Sequence, residues 1–182
     1  MPVWDDRDII EGAKTRGNEE LAFNQLVIKY QERLYWHVRK IVIDHDDADD
    51  VLQNTMIKIW RSLATFRSES GLFTWLYRIA TNEALSYLKQ KKKKTFAPWV
   101  DVEQQMSESL EADPWFNGED IQLKLQKAIL KLPEKQRIVF NMRYFDEVKY
   151  EEMSEILGTS VGALKASYHH AVKKIESMLE GD

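Results

Sequence analysis

The chain has 182 residues, 43% apolar and 31% charged, with a net charge of −4. Each half of such a chain can bury only a small core, which favours compact helical modules over one large sheet. It has no cysteine, so a disulfide framework and a thiolate metal site are excluded, and neither a membrane span nor a signal-peptide core is present, so a cytoplasmic protein without direct membrane insertion is expected.

Asp5 to Thr15 reads as a short helix with acids in its first turn, where the helix dipole favours them. Gly17 and Asn18 break it. Glu19 to Ile43 is a long amphipathic segment whose apolar face carries Leu21, Phe23, Leu26, Val27, Tyr30, Leu34, Val38, Ile41 and Val42. DHDDADD, Asp44 to Asp50, starts a third helix reaching about Leu63. Leu52, Met56, Ile59, Trp60 and Leu63 form its expected buried stripe, which leaves Asp49, Asp50, Gln53 and Asn54 on an exposed side.

FRSESG, Phe66 to Gly71, reads as a loop. A fourth helix follows from Leu72 to about Lys92, with a lysine-rich end (Lys89 and Lys91 to Lys94). Arg67, Arg78 and the lysines can neutralise phosphates. Phe66, Phe73, Trp75, Tyr77 and Tyr87 suit either stacking on unstacked bases or a core, and the core reading is the stronger for Trp75, Leu76, Ile79 and Leu88. The loop, with Ser68, Glu69, Ser70 and Gly71, could surround an extruded base and hydrogen-bond its edge.

Residues 95–118 show no sustained period and carry Pro98, Pro114 and Gly118, so they read as a linker and domain boundary. Residues 95–120 hold seven acids and no Lys or Arg. Outside them, 26 basic residues face 23 acidic ones, so the acidic total hides a basic remainder able to face phosphates. Trp99, Trp115 and Phe116 are unusual for a free linker and suggest docking on a partner or a folded domain.

Ile121 to Leu132 resumes helix, and Pro133 opens the next, which carries Ile138, Val139, Met142 and Phe145. Tyr150 to Met178 then reads as a short helix, a turn at Gly158, capping residues Thr159 and Ser160, and a longer helix from about Val161. Val161, Leu164, Tyr168, Ala171, Val172 and Ile175 would face inward. Lys165, His169 and Lys173 make a separate cation-capable row at i, i+4, i+8. This is a helix-turn-helix arrangement whose second helix suits the major groove, although an ordinary helical hairpin with solvated lysines has the same pattern.

DHDDADD is the one run that suggests a metal. The further ligands are missing: only His37, His169 and His170 remain, no EF-hand spacing is present, and acids at a helix N-terminus need no metal. No nucleophile elbow or Gly-rich phosphate loop occurs.

Three segments, DADDVLQNTMIKIW, FRSESGLFTWLYRIATNEALSYLKQKKK and LPEKQRIVFNMRYFDEVKYEEMSEILGTSVGALKASYHHAVKKI, lie in an order and spacing that resemble the bacterial RNA polymerase sigma factors of the extracytoplasmic-function type, over about residues 20–178. The resemblance implies an all-α chain of two small helical domains, 1–94 and 119–182, joined by a flexible acidic linker, 95–118. It implies no enzymatic activity, no cofactor and no catalytic or metal site. The partners implied are core RNA polymerase, through its large-subunit clamp helices and flap, promoter DNA, and a membrane-bound anti-sigma factor.

By position, the resemblance places Asp47, Asp49, Asp50, Gln53 and Asn54 at the clamp helices. It places Phe66, Arg67, Ser68, Glu69, Ser70, Arg78, Asn82 and Lys89 at the minus-ten element. Arg143, Ser160, Lys165, Ala166, His169, His170 and Lys173 fall at the minus-thirty-five element. The linker matches a segment that threads the polymerase near its RNA exit channel. Departures are visible. Lys149 stands where a capping Ser is usual, so a capping box with Glu152 is lost. The second helix of the pair is poor in arginine, which weakens bidentate reading of guanine. A stand-alone helix-turn-helix regulator, dimeric on duplex operators, and a helical adaptor without a DNA role are the alternatives from other classes.

Overall fold

A computed structural model describes the chain except residues 1, 96–98, 115–118 and 182, and the side chains of 95 and 99–102. Every regular element among the described residues is helical: α1 (Asp6–Lys14), α2 (Glu19–Val42), α3 (His45–Ser62), α4 (Leu72–Thr95), α5 (Trp99–Ala112), α6 (Asp120–Leu130), α7 (Glu134–Tyr144), α8 (Tyr150–Leu157) and α9 (Val161–Glu180), with one 3₁₀ turn at Leu63–Thr65.

The helix starts follow their caps. Asp5 accepts from the Asp8 amide at 2.8 Å, Asp44 from the Asp47 amide at 3.0 Å, and Ser160 from the Ala163 amide at 3.3 Å. At α8, Lys149 occupies the cap position and makes no side-chain cap bond, as the lost capping box implies. Gly158 ends α8 at φ +65°, the left-handed conformation that glycine adopts without penalty. The end of α2 is less ordinary. Ile43, a β-branched residue, sits at φ +69°, and its carbonyl accepts from Arg39 Nε at 2.6 Å. Such a backbone costs on the order of 1–3 kcal/mol and persists only where its surroundings hold it.

The first four helices form one bundle. α1 lies on α2, and α2, α3 and α4 pack on one another around Leu26, Leu34, Val38, Val51, Ile59, Leu76 and Leu88. α1 approaches closely because position 12 is glycine: a Cβ there would lie 2.6 Å from the Trp4 ring and 3.1 Å from Ala22 Cβ. The last helices gather a smaller core of Ala128, Ile129, Leu132, Phe140, Ala171 and Ile175.

Two expectations need correction. Trp60 is not in the buried stripe of α3: it is 47% exposed and meets Phe23 edge to face, with ring centroids 5.1 Å apart. The 3.6-residue period counts it inward, but the face it reaches stays half open to solvent. The connector expected to lack periodic structure is helical at Trp99–Ala112, with Met106 and Leu110 buried one turn apart. Among its described side chains, two apolar anchors among acids are too few to read as a stripe. The docking expected of Trp99, Trp115 and Phe116 concerns side chains outside the described residues.

The two groups of helices are in contact. α8 packs along α4, and Val148, Met153, Ile156 and Leu164 continue the apolar cluster that contains Leu34, Tyr77 and Leu88. Beside this seam, the turn after α7 inserts Asp146 against α2. Its carboxylate pairs with Lys40 and faces His37 Nδ1 at 3.4 Å, while Arg33 Nη2 reaches its carbonyl at 3.4 Å. Lys92 and Glu134 bridge α4 and α7 at 3.3 Å, and Arg39 pairs with Asp113.

Candidate nucleic-acid interface

The loop after the 3₁₀ turn is held from below. Phe66 is buried at 6% exposure, and its ring meets Trp75 at a centroid distance of 4.8 Å. With its first residue anchored, the chain turns through Ser68 at φ +57° and leaves Arg67, Ser68 and Glu69 in solvent. A recess of about 240 Å³ opens there, lined by Ser62, Thr65, Phe66, Arg67, Glu69, Ser70, Trp75 and Arg78. It combines hydroxyls, a carboxylate, two guanidinium groups and an aromatic wall. That mixture can hydrogen-bond a planar heterocycle at its edge and stack on its face. Arg78 Nε is buried without a hydrogen-bond partner.

Asn82, one turn beyond Arg78, is exposed, and so is Lys89. Lys91 is committed elsewhere: its ammonium pairs with Asp47 at 2.6 Å. The choice between stacking and packing for the α4 aromatics resolves toward packing, since Leu76, Tyr77 and Leu88 are buried and Trp75 and Ile79 half-buried. Tyr77 stacks on His37 at 4.3 Å, and burial raises its hydroxyl pKa.

On α3 the acidic run divides in two. Asp49, Asp50, Gln53 and Asn54 are exposed along one side. Asp47 is half-buried and accepts from the Tyr87 hydroxyl at 2.5 Å as well as from Lys91. Burial first, then the Asp47 carboxylate, push the Tyr87 pKa up. Asp47 therefore ties α3 to α4, whereas its neighbours are free to meet another surface. Ile57 and Trp60 on α3 and Ile28 on α2 are exposed at 42%, 47% and 65%. Residue type alone does not mark these three. Position marks Ile28, which lies off the apolar row of α2, but not Trp60, which the period counts inward. Among the described residues, no group of three or more His, Asp or Glu could hold a metal ion.

At the other end of the chain, Leu164, Ala171 and Ile175 of α9 are buried, and Lys165, Ala166, His169, His170 and Lys173 are exposed. The Ser160 hydroxyl is occupied as the α9 cap. Arg143 of α7 joins this face through Tyr150, a residue that no local pattern singles out. The Arg143 guanidinium lies 5.0 Å from the Tyr150 ring centre and Lys165 Nζ 5.8 Å from it, within cation–π range for both. One aromatic ring thus gathers cations from two helices beside the exposed row. Arg143 also donates to the Val148 carbonyl at 3.3 Å.

Known proteins share both halves of this arrangement. The family model for sigma-70 region 2 matches residues 26–94, and that for sigma-70 region 4 matches residues 122–175. The chain is 29% identical to the RNA polymerase sigma-H factor of Pseudomonas aeruginosa. It is 30% identical to the ECF RNA polymerase sigma-E factor of Escherichia coli K12 and of Salmonella typhimurium LT2. Each alignment covers 96% of this chain and 94% of the relative. CnrH, solved in complex with the cytosolic domain of CnrY, has a similar fold, with a TM-score of 0.70 at 23% identity over 97% of this chain and 98% of that one. The sigma factor RpoE of Bartonella quintana, solved with the anti-sigma factor NepR, gives a TM-score of 0.68 at 21% identity over 88% and 98%.

Proposed function

The chain belongs to the extracytoplasmic-function sigma factors of bacterial RNA polymerase, and on that premise we propose how its own residues direct promoter-specific initiation. The exposed side of α3, with Asp49, Asp50, Gln53 and Asn54 and the apolar Ile57 and Trp60 beside them, meets the clamp helices of core polymerase. Asp47 shapes that surface from within. An apolar centre rimmed by charge is what a desolvating interface requires.

The loop from Phe66 to Ser70 receives a base of the minus-ten element, with Phe66 as the anchor and Arg67, Ser68, Glu69, Ser70 and Arg78 around the recess. Asn82 and Lys89 extend that surface along α4. Upstream, α9 enters the major groove of the minus-thirty-five element with Lys165, Ala166, His169, His170 and Lys173, and Arg143 assists from α7. Ser160 contributes through the α9 N-terminus, whose free amides favour a phosphate. The family is not known for catalysis, and the chain is read as having no enzymatic activity of its own. No helix among the described residues is long and apolar enough to cross a membrane, in keeping with action on polymerase in the cytoplasm. An anti-sigma factor is proposed as a further partner, since the solved relatives are held by CnrY and NepR.

The observation that carries the residue assignment is the recess at the Phe66 loop, a built concavity at the position where the family captures an unstacked base. The test is transcription in vitro with core enzyme on fragmented genomic DNA. Start sites that depend on the chain are expected, and replacing residues 66–71 with a Gly/Ser loop should abolish open complexes while core binding persists. Loss of core binding instead would show that the loop has been misassigned. Tight duplex binding by the free chain without core would favour a stand-alone regulator.

A further inference from the structure

Arg143 of α7 and Lys165 of α9 come from different helices, yet both seat against the ring of Tyr150, at 5.0 and 5.8 Å from its centre. Both distances fall inside the range of about 6 Å over which a ring face attracts a cation. The ring is held in place. Tyr150 is the first residue of α8 and is half-buried against the cluster that contains Val148 and Met153. Arg143 is held as well, since its Nη1 donates to the Val148 carbonyl at 3.3 Å. Acids are close in sequence: Glu151, Glu152 and Glu155 follow Tyr150 on α8. Even so, among the described residues no carboxylate pairs with Arg143 or Lys165.

A ring and a carboxylate differ in what they leave of the charge. A carboxylate would place the two cations and neutralise them, and DNA would have to displace it. A ring face places a cation through its quadrupole and leaves the full charge free to meet an anion. Two like charges on one ring also repel each other, and an anion close to both removes that cost. Both side chains are ordered before DNA arrives, so less conformational entropy is lost on docking. We propose that Tyr150 positions Arg143 and Lys165 as a two-cation clamp on backbone phosphates of the minus-thirty-five duplex, acting through its ring and not its hydroxyl. This rests on the assignment of both cations to that element.

The experiment uses holoenzyme formed with the full chain and reads its affinity for promoter fragments across a salt series. Tyr150→Phe should stay within about twofold of the parent, and Tyr150→Leu should lose about tenfold at the same salt. Leucine can also loosen the packing of α8, so a second series keeps the shape of the ring. Phenylalanine and its mono-, di- and trifluorinated forms are placed at position 150. Fluorine drains electron density from the ring face, and affinity should fall stepwise along the series. On an Arg143→Ala/Lys165→Ala background the same series should be flat, because the ring then has nothing to hold. That double variant with its native ring should itself bind more weakly, with a salt slope shallower by about 2. A flat series on the parent background would overturn the proposal. So would a Phe variant as weak as the Leu variant, or an equally steep series without the two cations. Parental affinity and salt slope in the Arg143→Ala/Lys165→Ala chain would instead sink the minus-thirty-five assignment of these cations, and the proposal with it.

Discussion

His37 of α2 and Asp146 of the α7–α8 turn face each other at 3.4 Å, more than a hundred residues apart in sequence, and both side chains are almost wholly withdrawn from water. The groups around this pair are Arg33 and Lys40 on α2, Tyr77 and Thr81 on α4, and the turn itself. Burial is the largest influence on His37 and lowers its pKa. Asp146 opposes that shift, and Lys40 and Arg33 add to it. Burial alone would raise Asp146, but the His37 bond, His37 charge and Lys40 outweigh it and hold the carboxyl below its ordinary value.

A pH dependence follows. With His37 held below the unfolded value of about 6.5, the unfolded chain binds more protons than the folded one. The stabilisation from His37 is complete above about pH 6.5 and is lost as pH falls through the lowered folded value. Asp146 has the same sign, but its contribution is lost only below about pH 4. Stability to urea, followed from about pH 8 down to about pH 5, should therefore fall on acidification. A rise would contradict the burial argument.

Asp47 and its neighbours should separate stability from partner binding. Asp47→Ala removes the acceptor of both Tyr87 and Lys91 and should cost about 1–2 kcal/mol in urea unfolding. Asp49→Ala and Asp50→Ala, with nothing buried to lose, should stay within about 0.5 kcal/mol of the parent. Their effect is expected in core-polymerase affinity, measured by competition with the parent chain.

Gly12→Ala tests how closely α1 is seated. Alanine improves helix propensity by about 1 kcal/mol. The new methyl, however, would meet the Trp4 ring at 2.6 Å, and the Trp4 amide is bonded to Gln25 at 3.0 Å. Overpacking of this kind costs about 1–3 kcal/mol, so a net loss of stability with altered tryptophan emission is expected.

The exposed row of α9 should separate by salt. Lys173→Ala, if the lysine contacts phosphate, should lower the salt slope of minus-thirty-five binding by about 1 and weaken all sequences alike. His169→Ala should instead change the preference among base pairs, at about 1–3 kcal/mol for the position that it reads. Both are measured on holoenzyme with mutated promoter fragments.

Much of this is legible in residue order. The α9 face is, because Leu164, Ala171 and Ile175 repeat at helical spacing and leave Lys165, His169 and Lys173 outside. The turn at Gly158 is also legible, since only a left-handed residue closes α8 there. Tyr150 is not: its role comes from Arg143 and Lys165 converging on it from different helices, and no local pattern encodes that. Asp146 is hidden for the same reason, since an acid in a turn looks solvated until the helix that covers it is known. Trp60 misleads because a period says which side a residue takes, not whether anything covers that side.

The connector helix α5 has a consequence measured in contour length. Wound as helix, the 14 residues of Trp99–Ala112 span about 21 Å at about 1.5 Å per residue. Drawn out, the same residues reach about 48 Å at up to about 3.4 Å each. Among the described side chains of α5, Met106 and Leu110 are the buried ones that hold the coil wound. The segment is a spool: letting it run adds about 27 Å of reach between the two halves without lengthening the chain by a residue.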